Sequence, residues 1–501
     1  MGFLAEDDPV AVCREVLGDR LRRLDEEKVR AARDRAVEIS RRIDASDEIG
    51  SLIHGFDAGF IEPGPSGLIT RGKPEVLPTE RNFYSLDPAR VPTRAAWKIG
   101  KRLAEEVIEK YAAEGGRLPE NVAMYWMCSD IMWADGEQMA QIMHLIGVEP
   151  VWKDGKVTGY AVTPLEELGR PRIDVTIRVS GITRDCFYNC IELLDGAIRE
   201  VSSLDEPDEK NFVKKHLMES IGKGGDGRCP RIFASRPGTY GNGVNLAVYA
   251  SAWREKKDLS DVYVFWNGYS YGKGVFGEES HADLVSQLRS VDLTFNKTST
   301  DEYDIFGCCC YFGTHGGLTI AAREISEHDI PAYYGDTRDR DKIEVRTLAE
   351  EVRWVVRTKL LNPRWVEGMK NHGYKGAGDI SKRIGRVYGW EATTEEVDDW
   401  IFDDIARTFV LDGEMRRFFQ ENNPWALEEI GRRLLEAYNR DLWKADEEVI
   451  DALKEAYLET EGWIEEKMGD YRGDIQGGSI DVKTMEEVAG WKEKVSRVMK
   501  S

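Results

Sequence analysis

The feature that most constrains this chain is an alternation of helical and strand patterns beginning at Ala95. "AAWKIGKRLAEEVIEKYAAEG" spaces its apolar residues as a helix does, and "NVAMYWMCS" is an apolar run of strand length. "GEQMAQIMHLIGV" returns to helical spacing and ends at Gly147. "RIDVTIRVSG" then alternates as a strand, and "NCIELLDGAIREV" follows as a helix. Strands separated by helices predict an α/β layer with parallel strands, because a parallel crossover needs a helix-length connection. In such layers ligands gather where strands end and helices begin. The junction segments are "WMCSDIMWADGE" and "RVSGITRDCFYN".

A chain of 501 residues is too long for one compact core, so several domains are expected. Residues 1–94 read as a charged helical segment, strongest over 10–46, followed by a Gly/Pro-rich loop. Residues 95–204 form the α/β domain, and 205–345 a second α/β domain rich in glycine and aromatics that carries "CCCYFGTHGG". Residues 346–501 read as mainly helical. The expected fold class is therefore multidomain α/β with parallel-type layers, followed by a helical C-terminal region.

Composition excludes several functions. The 69 basic and 91 acidic residues leave a net charge of −22, which repels nucleic-acid phosphates and attracts cations. Nothing approaches the roughly 18 uncharged apolar residues of a membrane span, and "MGFLAEDDPV" has no secretory pattern. The eight cysteines include no CxxC pair, which argues against a structural zinc site. The expectation is a reduced, cytoplasmic protein. "GKGGDGR" and "GYSYGKG" lack the Lys-Ser/Thr ending of a phosphate-binding loop, and neither HExxH nor GxSxG occurs. Any nucleotide energy must come from another subunit.

"PGPSGLITRGKPEVLPTERNFYSLDPARVPT", "GEQMAQIMHLIGVEPVW", "PLEELGRPRIDVTIRVSGITRDCF" and "TLAEEVRWVVRTKLLNPRWVEGMKNHGYKGAGDIS", in that order, resemble the CobN and magnesium-chelatase large-subunit family. The resemblance implies a chain that holds a tetrapyrrole, either hydrogenobyrinic acid a,c-diamide or protoporphyrin IX, during insertion of a divalent metal. It implies AAA+ ATPase partner subunits that hydrolyse MgATP. "HGG" and "RIDVTIRVSG" look like the cobalt branch, while "EPDEKNFVKKH" and "VNLAV" are similar to the magnesium branch. Cobalt is favoured, with magnesium or nickel the other metals considered. In the family a long region precedes "PGPSG", so either a separate chain supplies it or this is a shortened relative. Where the family carries acidic or histidine residues before Tyr311, this sequence reads "GCCCYFGTHGG".

Metal insertion removes two ring N–H protons and strips water from the ion, which calls for proton acceptors and loosely held ligands. Glu137 opens a helix, where a carboxylate suits either chemistry or the helix dipole. Glu166 and Glu167 precede "LGRPRID", and the usual fate of such a pair is a solvated turn. By resemblance, Glu137 and Glu167 match acidic positions of the family's pocket, as proton acceptors or metal guides. His315 sits among glycines that would leave its imidazole accessible to act as base or ligand. Extended backbone would put Cys308 and Cys310 on one side and Cys309 on the other, giving two soft ligands that prefer cobalt, nickel or zinc to magnesium. Cysteines are also commonly small buried apolar residues. Arg170, Arg172 and Arg184 suit the macrocycle's carboxylates, or internal ion pairs. Tyr240, Trp266, Tyr269, Tyr271, Tyr311 and His372 are candidates for lining the ring cavity. The expectation is one cavity in which Glu137, Glu167 and His315 converge.

Overall fold

The computed structural model describes residues 8–17, 25–223, 225 and 227–468, and divides into two compact units, Met1–Asp87 and Pro88–Ser501. Residues 18–24 of the expected N-terminal helix, part of "GKGGDGR", residues 1–7 and the tail from 469 lie outside the described residues.

In the first unit, Pro9–Leu17, Glu26–Asp44 and Glu48–Phe56 are helical. Asp25 caps the second helix by accepting from Lys28 N–H, and Asp47 caps the third by accepting from Gly50 N–H. The Gly/Pro-rich stretch is a chain of 3₁₀ turns, with only a short parallel pair between β1 (Gly64–Pro65) and β2 (Asn82–Tyr84).

The second unit is built on one eight-stranded sheet. Its strands are β3 (Asn121–Trp126), β6 (Asp174–Val179), β7 (Ile232–Ala234), β8 (Tyr269–Gly272), β9 (Val275–Glu279), β10 (Leu293–Thr298), β11 (Ala332–Asp336) and β12 (Glu344–Thr347). Their order is β12-β11-β10-β3-β6-β7-β8-β9. The five strands from β11 to β7 are parallel, and antiparallel strands cover both edges. β4 (Val148–Lys153) and β5 (Lys156–Val162) form a separate hairpin. The segments 95–204 and 205–345, read as separate domains from the sequence, thus contribute strands to a single sheet. The reason is that β10 pairs directly with β3 across some 170 residues of chain, a long-range pairing that local patterns do not encode.

Every residue of β3 and β6 is buried, as expected for parallel strands covered by helices on both faces. The alternation read in "RIDVTIRVSG" is therefore a change of face rather than of burial. One face carries the Arg94–Gly115 and Glu137–Leu145 helices. The other carries the Lys256–Asn267 and Gly317–Ser326 helices, which continue into the C-terminal helical core around Trp390, Phe402 and Phe409. The expected helical C-terminal region is present from Leu348 to Met468.

Candidate functional site

The strand order places a switch point between β3 and β10. From β3 the chain builds outward through β6 to β7, then returns to lay β10 and β11 on the opposite side. Connections leave adjacent strand ends in opposite directions there, and the carboxyl ends at such a point are where open α/β sheets bind their ligands.

Three loops meet at that end. After β3 comes Cys128, whose backbone N–H donates to Ser180 Oγ at 3.2 Å. After β6 comes Ser180, which caps the Gly181–Cys186 helix. After β10 comes the segment leading to Cys308–Cys310, held by buried charges. Asp304 accepts two bonds from Arg383, both 3.0 Å, and one from Lys359 at 2.7 Å. Burial alone would raise the Asp304 carboxyl, but these cations outweigh it and hold it below the usual range. Trp390 Nε1 donates to the Ile305 carbonyl, so the C-terminal helices fix the approach to the cysteines.

The cysteine run is not extended. Cys308 has extended backbone, but Cys309–Tyr311 turn helical, with Cys308 Sγ accepting from Cys310 N–H at 3.3 Å. All three sulfur atoms consequently lie within 4.8 Å of one another, and Cys309 joins Cys308 and Cys310 instead of facing away. Hydrogen bonds from Cys309 and Cys310 pull the Cys308 thiol well below its ordinary value, aided by the Arg386 charge. The contact with Cys308 raises Cys309, and contacts with both neighbours raise Cys310. Asn245 donates to Cys309 Sγ at 3.5 Å. Asn245 Oδ1 and Arg386 Nε are buried beside the cluster with no hydrogen-bond partner among the described residues. Tyr125, fully enclosed beneath the Arg178 guanidinium at 5.6 Å, feels both Cys310 and Cys128.

The remaining sequence candidates do not converge. Glu137 is buried and accepts from Lys297 Nζ at 3.0 Å and Thr337 Oγ1 at 2.7 Å, with Asp130 sharing Lys297 at 2.9 Å. Glu167 is exposed on the Leu165–Leu168 turn, with Glu166 beside it. His315 is fully buried in a π-helical turn, its Nε2 3.2 Å from Thr294 Oγ1 and its ring against Tyr334 and Trp390. Burial lowers its imidazole to about 3. Lys297 and Thr294 are three residues apart on β10 and point to opposite faces. Glu137 and His315 therefore lie on opposite sides of the sheet, which overturns the expected common cavity. The glycines around His315 permit close packing rather than access: a Cβ on Gly316 would sit 2.2 Å from Thr393 Oγ1.

The arginines are committed as well. Arg170 donates to the His144, Leu145 and Pro171 carbonyls, and burial lowers it to about 10. Arg172 grips Glu206 and the Ile146, Gly147 and Thr163 carbonyls just before β6. Arg184 makes a fork to Asp185 and donates to the Ser235, Arg236 and Thr239 carbonyls. Tyr240 is exposed at the carboxyl end, donating to Asp185 at 2.6 Å. Tyr311 and Tyr271 are buried, Trp266 and Tyr269 half-buried, and His372 is exposed at the start of the Gly373–Thr394 helix. The structure thus gathers Cys308, Cys310, Tyr311, Arg184 and Tyr240 at the carboxyl ends. Cys128, Asn245, Arg386 and Cys309 join them; the junction position of Cys128 was the one sequence signal that pointed to it.

Among the described residues no helix is long and apolar enough to cross a membrane. The chain is 61% identical to an uncharacterized protein of Methanocaldococcus jannaschii, over 92% of this chain and 38% of that protein. It is 36% identical to the chloroplastic magnesium-chelatase subunit ChlH of Oryza sativa subsp. japonica, over 88% of this chain and 32% of that protein. The catalytic subunit of cobaltochelatase from Mycobacterium tuberculosis superposes with a TM-score of 0.86 at 38% identity, covering 90% of this chain and 39% of the other. The chain therefore spans less than two fifths of the length of these relatives. The sequence profile described as CobN/Magnesium Chelatase matches residues 8–450, and on that match the chain belongs to the CobN/magnesium-chelatase family.

Proposed function

We propose that this chain is the tetrapyrrole-holding, metal-inserting part of an ATP-dependent metal-chelatase large subunit. The favoured substrates are cobalt and hydrogenobyrinic acid a,c-diamide, in the formation of a cobalamin-type cofactor. A magnesium-chelatase-like role on protoporphyrin IX is the alternative, and nickel is a further candidate metal. AAA+ ATPase subunits would supply the energy of MgATP hydrolysis, and a cytoplasmic location suits a chain with free thiols. The observation that carries the reading is the switch point of the sheet, where the segment after β10 brings three thiols together beside the Asn245 amide and the Arg386 guanidinium.

These groups favour a thiophilic ion. Magnesium demands six oxygen ligands and dehydrates reluctantly, whereas cobalt, nickel and zinc accept sulfur. Insertion requires two pyrrole protons to leave while the ion sheds water, and thiols grouped within 4.8 Å of one another suit the handling of both. Glu137 contributes to the buried charge balance near the switch point through Lys297 rather than as a free base.

Titration of the purified chain with the macrocycle tests the reading. A shifted absorption band at micromolar protein is expected, and no shift would contradict it. A second reading, a tetrapyrrole or metal carrier without insertion, is favoured by the dispersal of Glu137, Glu167 and His315. Metal insertion on adding the ATPase subunits would eliminate it.

A further inference from the structure

We infer that Cys308, Cys309 and Cys310 together form a three-sulfur transit site for a thiophilic divalent ion, with a fourth position left open. The inference rests on the chelatase reading for the ion's destination, but the site itself rests on geometry. Tetrahedral coordination at about 2.3 Å from each sulfur spaces the sulfurs about 3.8 Å apart. The three Sγ atoms already lie within 4.8 Å of one another, so small side-chain rotations close the set around an ion. The helical turn at Cys309 achieves this; an extended run could present only two.

Three protein ligands are the number that distinguishes an exchangeable site from a closed structural one, which uses four. An ion held by three sulfurs keeps one position for water or for an incoming pyrrole nitrogen. Binding forms three metal–sulfur bonds, displaces water from the hydrated ion and releases the protons still on sulfur to solvent. Three thiolates and a dication leave one negative charge. Arg386, whose Nε is buried without a hydrogen-bond partner among the described residues, lies beside the cluster to balance it. Asn245 meets Cys309 directly and holds its unpartnered Oδ1 in the same place. The scaffold is stiff, since Asp304, Arg383, Lys359 and Trp390 fix the preceding loop.

The test is anaerobic titration of the reduced full chain with Co²⁺, followed by absorption and by X-ray absorption at the cobalt edge. One equivalent is expected to bind with sulfur-to-cobalt charge-transfer bands and three sulfur scatterers at about 2.3 Å. Cys308→Ser, Cys309→Ser and Cys310→Ser should each weaken binding about tenfold or more, while Cys13→Ser leaves it unchanged and excess Mg²⁺ fails to compete. Cobalt bound through oxygen and nitrogen alone would overturn the inference, as would sulfur bands that persist in the triple serine variant. The wild-type spectrum decides the matter even if a variant fails to fold. Macrocycle binding, measured separately, keeps the two claims apart. Intact macrocycle binding with no cobalt–sulfur signal removes the transit site alone, and the signal without macrocycle binding upholds the site and removes the chelatase reading.

Discussion

The two ends of the central sheet are built from different chemistry. At the amino ends, polar groups are saturated by one another. Buried Asp174, the first residue of β6, accepts from Arg231 at 2.8 Å and pairs with His216 at 2.8 Å. Asn121, the first residue of β3, donates to Thr176 at 3.0 Å and Ser290 at 2.8 Å. Arg172 is closed by Glu206 and three carbonyls. The carboxyl ends hold saturated charges too, in Lys297 with Glu137 and Asp130, but beside them three thiols, an amide oxygen and a guanidinium nitrogen cluster with bonding capacity left over. Saturated buried charge holds a fold together, whereas buried groups with spare capacity carry a cost that a ligand can remove. Charge alone is thus a poor guide to the site here, because the charged candidates serve structure.

Four experiments sharpen or break that division. Asp174→Ala strands the buried Arg231 guanidinium and should cost about 3–5 kcal/mol, read as a lower denaturation midpoint at constant slope. Cobalt binding by the folded protein should not change; a parallel loss would mean the ends are not separable. Glu137→Gln weakens one of the two carboxylate partners of Lys297 and should cost about 1–3 kcal/mol, with macrocycle affinity intact. Lost affinity at unchanged stability would return Glu137 to the site.

The third experiment concerns Glu391 in the C-terminal helices. Burial, reinforced by the charges of Glu395, Asp399 and Glu396, pushes its carboxyl up to about 8. The folded protein keeps a proton that the unfolded chain releases near the ordinary value of 4.5. Stability should therefore fall as pH rises between those values, and level off above the higher one. Glu391→Gln should remove that component of the slope, and an identical slope in the variant would contradict the assignment. The smallest effect belongs to Glu167→Gln, which should alter stability by less than about 0.5 kcal/mol and leave macrocycle binding unchanged. A clear binding defect would show that the exposed turn takes part after all.

Much of the fold was legible because β3 and β6 are strand-length apolar runs between well-patterned helices. The rest was not. β7 has only three residues, and the β8–β9 hairpin hides among aromatics and glycines. The β10–β3 pairing that merges the two expected domains depends on contacts far apart in sequence. At the site, Cys308 and Cys310 were readable as soft ligands, but Cys309 was not, because one helical turn reverses the direction that an extended run assigns it. His315 misled for a related reason: Gly313, Gly316 and Gly317 allow helices and side chains to close over the turn, whereas glycine in a loop would have opened it. Arg170, Arg172 and Arg184 misled because carbonyl oxygens, invisible in a sequence, take most of their donors.

Hydrogen–deuterium exchange of the full chain with and without bound macrocycle tests the central placement most directly. Exchange should slow around Cys128, Gly181–Cys186 and Cys308–Gly316, with the amino-end segments around Arg172 and His216 unchanged. Slowing confined to those amino-end segments, with the cysteine segment unaffected, would contradict it.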